Sequence, residues 1–271
     1  MTDAEYAAID AINWSRLKAI AVSPLQFQYE QMNPRDEAGF LRIGRAVHAH
    51  ILEPLTFRDR FVVHQGTRRG KAWDAIESHA RAAGVTVLSE DEAEAAFGAA
   101  AAVLANPYAA EYLARGFKEA AFTWTDEETG LACKGRTDHA GRHLVEIKTA
   151  ARMARRVFAA AAARLGYHSQ LAYYHDGLAA NGITVDAEPI IIAVQSEMPH
   201  DVVVYKLPPH VIEAGRSEYR RLLRLLKECR ETNTWPGAAP DGPVTFELPA
   251  WATMDDEEVA LTMGGVPLGG I

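Results

Sequence analysis

Cysteine is nearly absent: Cys133 and Cys229 are the only two in 271 residues. Two thiols so far apart suggest no disulfide framework, and they cannot supply the four thiolates of a cysteine-ligated iron–sulfur cluster or an all-cysteine zinc site. Long apolar runs are lacking too. Nothing approaches the roughly 20 residues that cross a bilayer, and no basic stretch with an apolar segment and a small-residue cleavage site opens the chain. A reduced, cytoplasmic setting with no membrane partner is expected. Positive charge is in deficit, with 28 Lys and Arg against 36 Asp and Glu and a net charge of -8. That balance excludes a protein that coats nucleic acid through global charge, so any DNA contact must be local.

Several catalytic signatures are missing as well. The run Gly66-Thr-Arg-Arg-Gly-Lys71 has the wrong spacing for a phosphate-binding P-loop and no closing Ser or Thr, so an ATP-driven helicase is not supported. No Gly-x-Ser-x-Gly elbow is present. His139 and His143 have no Cys or His partners at zinc spacing and are expected to be exposed turn residues.

What is present is an ordinary globular composition, 48% hydrophobic and 24% charged, enough for a full core. The first part reads as helical. Apolar spacing gives a helix over 9–32 that breaks and restarts at Ser23-Pro24, and a second over 42–53 that stops at Pro54. The Arg-, Gly- and Lys-dense stretch 65–71 reads as a mobile loop or a phosphate-contacting surface. Ser89-x-x-Glu92 is a capping-box pattern that opens an Ala-rich helix ending near Asn106-Pro107. The period then changes. Strands are expected over 121–125, 131–138 and 143–148, a β-meander whose first turn is the run from Asp126 to Gly130. Helices over 153–164 and 167–180, strands over 188–195 and 201–207, and an amphipathic, Arg-rich helix over 209–231 follow.

The segment richest in chemistry is Lys134-Gly-Arg-Thr-Asp138 followed by Val145-Glu-Ile-Lys148. Side chains at i and i+2 of a strand share a face, so Glu146 and Lys148 point one way and Ile147 into the opposite apolar layer. A short connection over 140–142 would bring Asp138 near Glu146, and two converging carboxylates suit a hard divalent cation. A lysine beside them could stabilise charge developing on a phosphate. The same Glu-x-Lys pattern also occurs as a cross-strand ion pair on a solvated face. Its surroundings favour chemistry: from Lys134 to Arg164 there are eight basic residues and only two acids in a chain that is acidic overall.

The order Asp138, then Glu146-Ile147-Lys148, then Gln170-x-x-x-Tyr174 on a following helix resembles the PD-(D/E)XK nuclease superfamily and, within it, the RecB-like branch. Gly44-Arg-Ala-Val-His48 with Leu52-Glu-Pro54, the run from Glu128 to Asp138, and Tyr167-His-Ser-Gln-Leu-Ala-Tyr-Tyr174 resemble the RecE-type (exonuclease VIII) group of phages and prophages. The likeness covers about residues 15 to 251. Thr137 stands where the superfamily name has proline, a tolerant position.

The expected fold is α/β, a restriction-endonuclease-like core whose central mixed sheet is flanked by helices, with a helical N-terminal part. Residues 1–237 would form a single nuclease domain, 1–115 mainly helical and 116–237 the catalytic core, and 238–271 a C-terminal tail. The resemblance implies that Asp138, Glu146 and the Ile147 backbone carbonyl hold Mg2+, that His48 is a further ligand, and that Lys148 is the catalytic lysine. Imidazole sits more comfortably with Mn2+, which would substitute. Glu119, read as lying just before the first strand of the meander, would hold a second cation, although a surface ion pair with Lys118 accounts for it equally well. Gln170 and Tyr174 share a helical face, and the resemblance implies that the pair faces the active site, the amide bonding the attacking water or a phosphate and the phenol helping to orient the DNA. His50 lies on another side of its helix and is given no role. Arg136, Arg152, Arg155 and Arg156 are the expected DNA contacts. The implied activity is 5′ to 3′ exonucleolytic digestion of linear double-stranded DNA, leaving 3′ tails for a single-strand annealing protein of RecT type, by a homo-oligomeric ring of three or four copies. A DNA-end-binding or recombination-accessory protein with the fold but little cleavage is the alternative.

Overall fold

The computed structural model describes residues 1, 3–33 and 39–248. Its centre is a five-stranded mixed sheet of β3 (Phe117–Thr125), β4 (Ala132–Ala140), β5 (Leu144–Ala150), β6 (Ile190–Gln195) and β7 (Val202–Lys206), in that spatial order. All neighbours are antiparallel except β5 and β6. A parallel pair needs a crossover, which α9 (Arg155–Leu165) and α10 (Tyr167–Ala180) supply. The apolar run of β6 shows why both faces are covered. Ile190, Ile192 and Val194 join one core with Val145 and Ile147, while Ile191 and Ala193 join a second core with Leu171 and Leu178 of α10.

The expected meander is present. The Asp126 carboxylate accepts the Thr129 N–H at 2.9 Å and the Thr129 hydroxyl at 2.6 Å, and Gly130 takes φ +71°, which closes the β3–β4 turn. The first strand starts four residues earlier than the sequence suggests, at Phe117, so Glu119 lies inside it rather than before it. His139 is also corrected: it is a buried residue of β4, not an exposed turn residue.

The N-terminal part is less continuous than its apolar spacing implies. After α1 (Asp3–Ala8) the chain is extended at Ile12, whose N–H donates to the Ala132 carbonyl at 2.9 Å and whose carbonyl accepts from the Lys134 N–H at 2.8 Å. The Tyr173 hydroxyl donates to that same carbonyl at 2.7 Å. Only then do α2 (Trp14–Leu17), a 3-10 turn (Lys18–Ala21) and α3 (Pro24–Met32) follow, the last capped by Ser23 with Pro24 in its first turn. The helix expected over 9–32 is thus corrected at its start: Ile12 extends the hairpin.

Next come α4 (Gly39–Leu52), α5 (Phe57–Arg60) and a small unit that the sequence reading did not foresee: β1 (Phe61–His64) and β2 (Thr86–Ser89), paired in parallel across α6 (Lys71–Ala82). The stretch 65–70 carries no helix or strand. Arg68 is ion-paired with Glu92 and lies 5.4 Å over the Trp73 ring, and Lys71 already belongs to α6. The capping box of α7 (Glu90–Ala105) forms as its pattern indicates, and Asn106 with Pro107 opens α8 (Pro107–Leu113). From 238 to 248 the chain carries no helix or strand, and the rest of the expected tail lies outside the described residues.

The joint between α10 and α11 (Pro209–Thr232) orients α10 against the sheet. Ile212, Gly215, Tyr219, Leu222 and Leu226 of α11 are buried at helical spacing. Asp176 of α10 accepts from Arg216 twice at 2.7 Å and from the Tyr219 hydroxyl at 2.5 Å. Burial alone would raise the Asp176 carboxyl, but His175, Arg216 and Tyr219 hold it well below the usual range. At Gly215 a Cβ would lie 2.4 Å from the His168 carbonyl oxygen, which is backbone and cannot swing aside. Gly215→Ala should therefore push α10 off α11 and cost about 1 to 3 kcal/mol, read as a lower urea midpoint in equilibrium unfolding. An unchanged midpoint would mean that the two helices are not held this tightly.

Candidate active site

Strands β4 and β5 pair only through His139 with Val145 and Ala140 with Leu144, and then part. Beyond the fork β5 continues beside β6, so its β4-facing edge loses its ladder partner. Backbone donors stranded in this way need acceptors. Asp138 and Glu146 supply them. The Ile147 N–H donates to Asp138 Oδ2 at 2.6 Å, and the Asp138 N–H donates to Glu146 Oε1 at 3.3 Å. The two buried acids are thus fixed by the split that brings them together.

Other elements close on the fork. The Lys148 ammonium donates to Glu146 Oε2 at 2.8 Å and lies 5.0 Å from the Tyr167 ring centroid. From α10, Gln170 Nε2 donates to Glu146 Oε2 and to the Tyr174 hydroxyl, both at 3.2 Å. From α4, His48 Nδ1 lies 3.1 Å from Asp138 Oδ1. Helix α4 comes this close because Gly44, one turn before His48, has no side chain; a Cβ there would stand 3.2 Å from Thr149 Oγ1 of β5. Glu119 sits directly across from Asp138, between the pairs Lys118 with His139 and Ala120 with Thr137, and takes φ +48°. That left-handed turn of the backbone is unusual for glutamate and interrupts the ladder at the one position facing the fork.

His48, Glu119 and Asp138 bring ligand atoms within 4.8 Å of one another, a group able to hold a metal ion. Two carboxylates and an imidazole are a fitting donor set for Mg2+ or, more readily, Mn2+. The electrostatics point the same way. Burial and the neighbouring Asp138 charge push the Glu119 carboxyl up to about 7, and burial with the same charge pushes Glu146 up to about 7. Burial works against an ionised Asp138, yet His48, Lys148 and the Ile147 N–H keep it below the ordinary aspartate value. Burial likewise opposes a charged His48 and a charged Lys148, but the adjacent carboxylates raise both. The acids are crowded enough that a cation would relieve them.

The sequence-derived residues do not all converge. Glu146 stands outside the group of three potential ligands, with its oxygens engaged by the Asp138 N–H, Lys148 and Gln170. Arg136 lines the cavity over the fork, about 520 Å³ in volume, whereas exposed Arg152, Arg155 and Arg156 do not. Lys134, counted above in the basic stretch, is buried, and its ammonium donates to the carbonyls of Tyr6, Ala7 and Ile9. His50 packs its ring near Phe57 and Phe97. The cavity also contains Lys18, Arg45 and Arg60, which sequence reasoning missed. Arg45 was within reach, three residues before His48 on the same side of the helix; nothing in the sequence marked the other two.

Residues 14–241 match the family described as a PDDEXK-like domain of unknown function (DUF3799). The chain belongs to this family. Its fold is also similar to the crystal structure of a "putative exonuclease" from Eubacterium rectale, with a TM-score of 0.61 over 98% of this chain and 99% of that one, at 14% sequence identity. No curated protein matches it in sequence. The PDDEXK-like fold with its five-stranded mixed sheet is the one that the order of motifs led us to expect.

Replacing Glu119 or Asp138 by alanine should weaken Mn2+ binding roughly tenfold or more in calorimetric titration. Because protons compete for a carboxylate raised to about 7, wild-type affinity should climb between about pH 6 and pH 8. Unchanged affinity in both variants would place the ion elsewhere.

Proposed function

We propose that this protein is a metal-dependent nuclease that hydrolyses DNA phosphodiesters from the ends of linear duplexes. The observation that carries the reading is the convergence of Asp138, Glu146 and Lys148 at the strand fork, with His48 and Glu119 adjoining, beside a cavity that Asp138 and Lys148 line together with Lys18, Arg45, Arg60 and Arg136. Anionic ligands for a cation and a cationic wall for a phosphate are the two requirements of such a site. A bound divalent cation would make its water acidic and neutralise charge on the phosphate. The chain's own groups do the rest. Lys148, kept protonated by its carboxylate neighbours, can donate to the phosphate oxygen on which negative charge grows. Glu146, with its carboxyl near 7, is suited to accept a proton from the attacking water at neutral pH. Gln170 holds Glu146 and Tyr174 in register for this exchange.

The finer reading rests on the RecE-type resemblance: Mg2+ as the working ion, replaceable by Mn2+, 5′ to 3′ digestion, 3′ tails passed to a RecT-type annealing protein, and a cytoplasmic place of action. Likeness in fold to a protein described as a "putative exonuclease" supports action at ends. A ring of three or four copies would answer a charge problem. With a net charge of -8, one subunit has little attraction for duplex DNA beyond its local basic groups, and several such cavities around one channel would concentrate positive potential on the substrate.

On end-labelled linear duplex and closed circular duplex, with and without Mg2+, digestion of the linear form alone and only with Mg2+ is expected; binding without cleavage would favour an end-binding accessory role instead. Lys148→Ala should lower turnover by roughly 10² to 10³-fold while leaving DNA affinity nearly unchanged. Near wild-type turnover in that variant would remove Lys148 from the mechanism. Sedimentation as a monomer at micromolar concentration would remove the ring.

A further inference from the structure

Along β4, Lys134, Arg136 and Asp138 alternate and share one face of the hairpin, while Gly135 lies on the other, where a Cβ would meet Phe122 and Tyr174. On the Lys134 side sits the Tyr6 ring of α1. The Arg136 guanidinium lies 4.5 Å from its centroid and the Lys134 ammonium 4.7 Å from it. Lys134 also anchors the end of α1, donating to the carbonyls of Tyr6 at 2.7 Å and Ile9 at 2.8 Å. The Tyr6 carbonyl lies near the end of α1, where a helix leaves carbonyls without intrahelical partners, and a buried ammonium is a strong donor for it. The Tyr6 ring is therefore held in place by the same strand whose arginine it covers.

Arg136 lines the catalytic cavity with Asp138 and Lys148, and Tyr6 does not. A guanidinium on a flexible stem loses rotamer freedom when it binds an anion, and an aromatic face that already holds its plane lowers that cost. We propose that Tyr6 is a positioning residue for Arg136, so that α1 forms part of the working site by holding the guanidinium ready for a phosphate of the DNA substrate. This inference rests on the nuclease reading above. It goes beyond that reading in assigning a task to an N-terminal helix that carries none of the motif residues.

The test is a double-mutant cycle between the two positions. Affinity for a short blunt duplex is measured by fluorescence anisotropy in EDTA, where no cleavage occurs, and steady-state digestion is measured with Mg2+. Tyr6→Leu should weaken binding and raise KM roughly 3- to 10-fold with kcat within about twofold. Tyr6→Phe keeps the ring face and should stay close to wild type. In the Arg136→Met background, Tyr6→Leu should have no further effect, because the group it positions is gone. Thermal melting of each variant separates this from loss of the fold. Equal losses from Tyr6→Leu with and without Arg136, or a loss in kcat alone, would overturn the positioning role while leaving the nuclease intact. Failure of the wild-type protein to bind or cut DNA would overturn both readings.

Discussion

The hydrogen bond from the Ile147 N–H to Asp138 Oδ2 marks the place where the sheet stops being a sheet. A backbone donor released from its ladder and buried must find another partner or cost the fold free energy comparable to a lost hydrogen bond. Here the partner is a carboxylate, and its own backbone N–H is satisfied by Glu146. The acids that give the site its character are therefore also the groups that make the fork tolerable. The rest of the molecule is arranged around that split: α10 reaches both diverging strands, with Gln170 at Glu146 and Tyr174 against Gly135, while α4 brings His48 to Asp138.

The cavity shows how an acidic protein can gather positive charge at one place. Three carboxylates, Glu119, Asp138 and Glu146, lie within or beside the potential metal group, and five Lys and Arg side chains line the surrounding wall. Several of the remaining basic residues are occupied elsewhere: Lys134 on helix-end carbonyls, Arg68 on Glu92, Arg216 on Asp176 and Arg224 on Glu128. Position therefore decides what a positive charge can do. The basic stretch counted in the sequence from Lys134 to Arg164 contributes only Lys148 and Arg136 to the cavity, because Lys134 is turned to carbonyls at the end of α1, Arg142 lies in the β4–β5 turn, and Arg155, Arg156 and Arg164 belong to α9, which fans them around its axis.

This explains what was legible before any coordinates. The meander, the crossover helices and the closeness of Asp138, Glu146 and Lys148 followed from period and spacing, since each lies on a regular element where sequence distance fixes geometry, whereas the place of Gln170 and Tyr174 at the site came from the resemblance. His48 needed the resemblance, because a histidine on a helix says nothing of the strand it will meet. The extended Ile12 was hidden, since its pairing with the hairpin joins residues more than a hundred positions apart. The small parallel pair β1 and β2 was hidden because each strand is four residues long. Glu119 was placed one element too early: no local signal announces that a glutamate will adopt a left-handed backbone within a strand, and only the facing Asp138 gives that conformation a purpose.

Glu92 has a wider reach than its place in a helix cap suggests. It accepts the Ser89 N–H within the capping box and also receives Arg68 and Arg42, the latter from α4, six residues before His48. Helix α4 is thus pinned at two points, by a salt bridge near its beginning and by the bare flank of Gly44 against Thr149. A rod fixed at two points along its length cannot roll about its axis. The imidazole it carries then points at the fork by mechanical constraint, and the precision of a site on β4 and β5 is borrowed from a carboxylate on another helix.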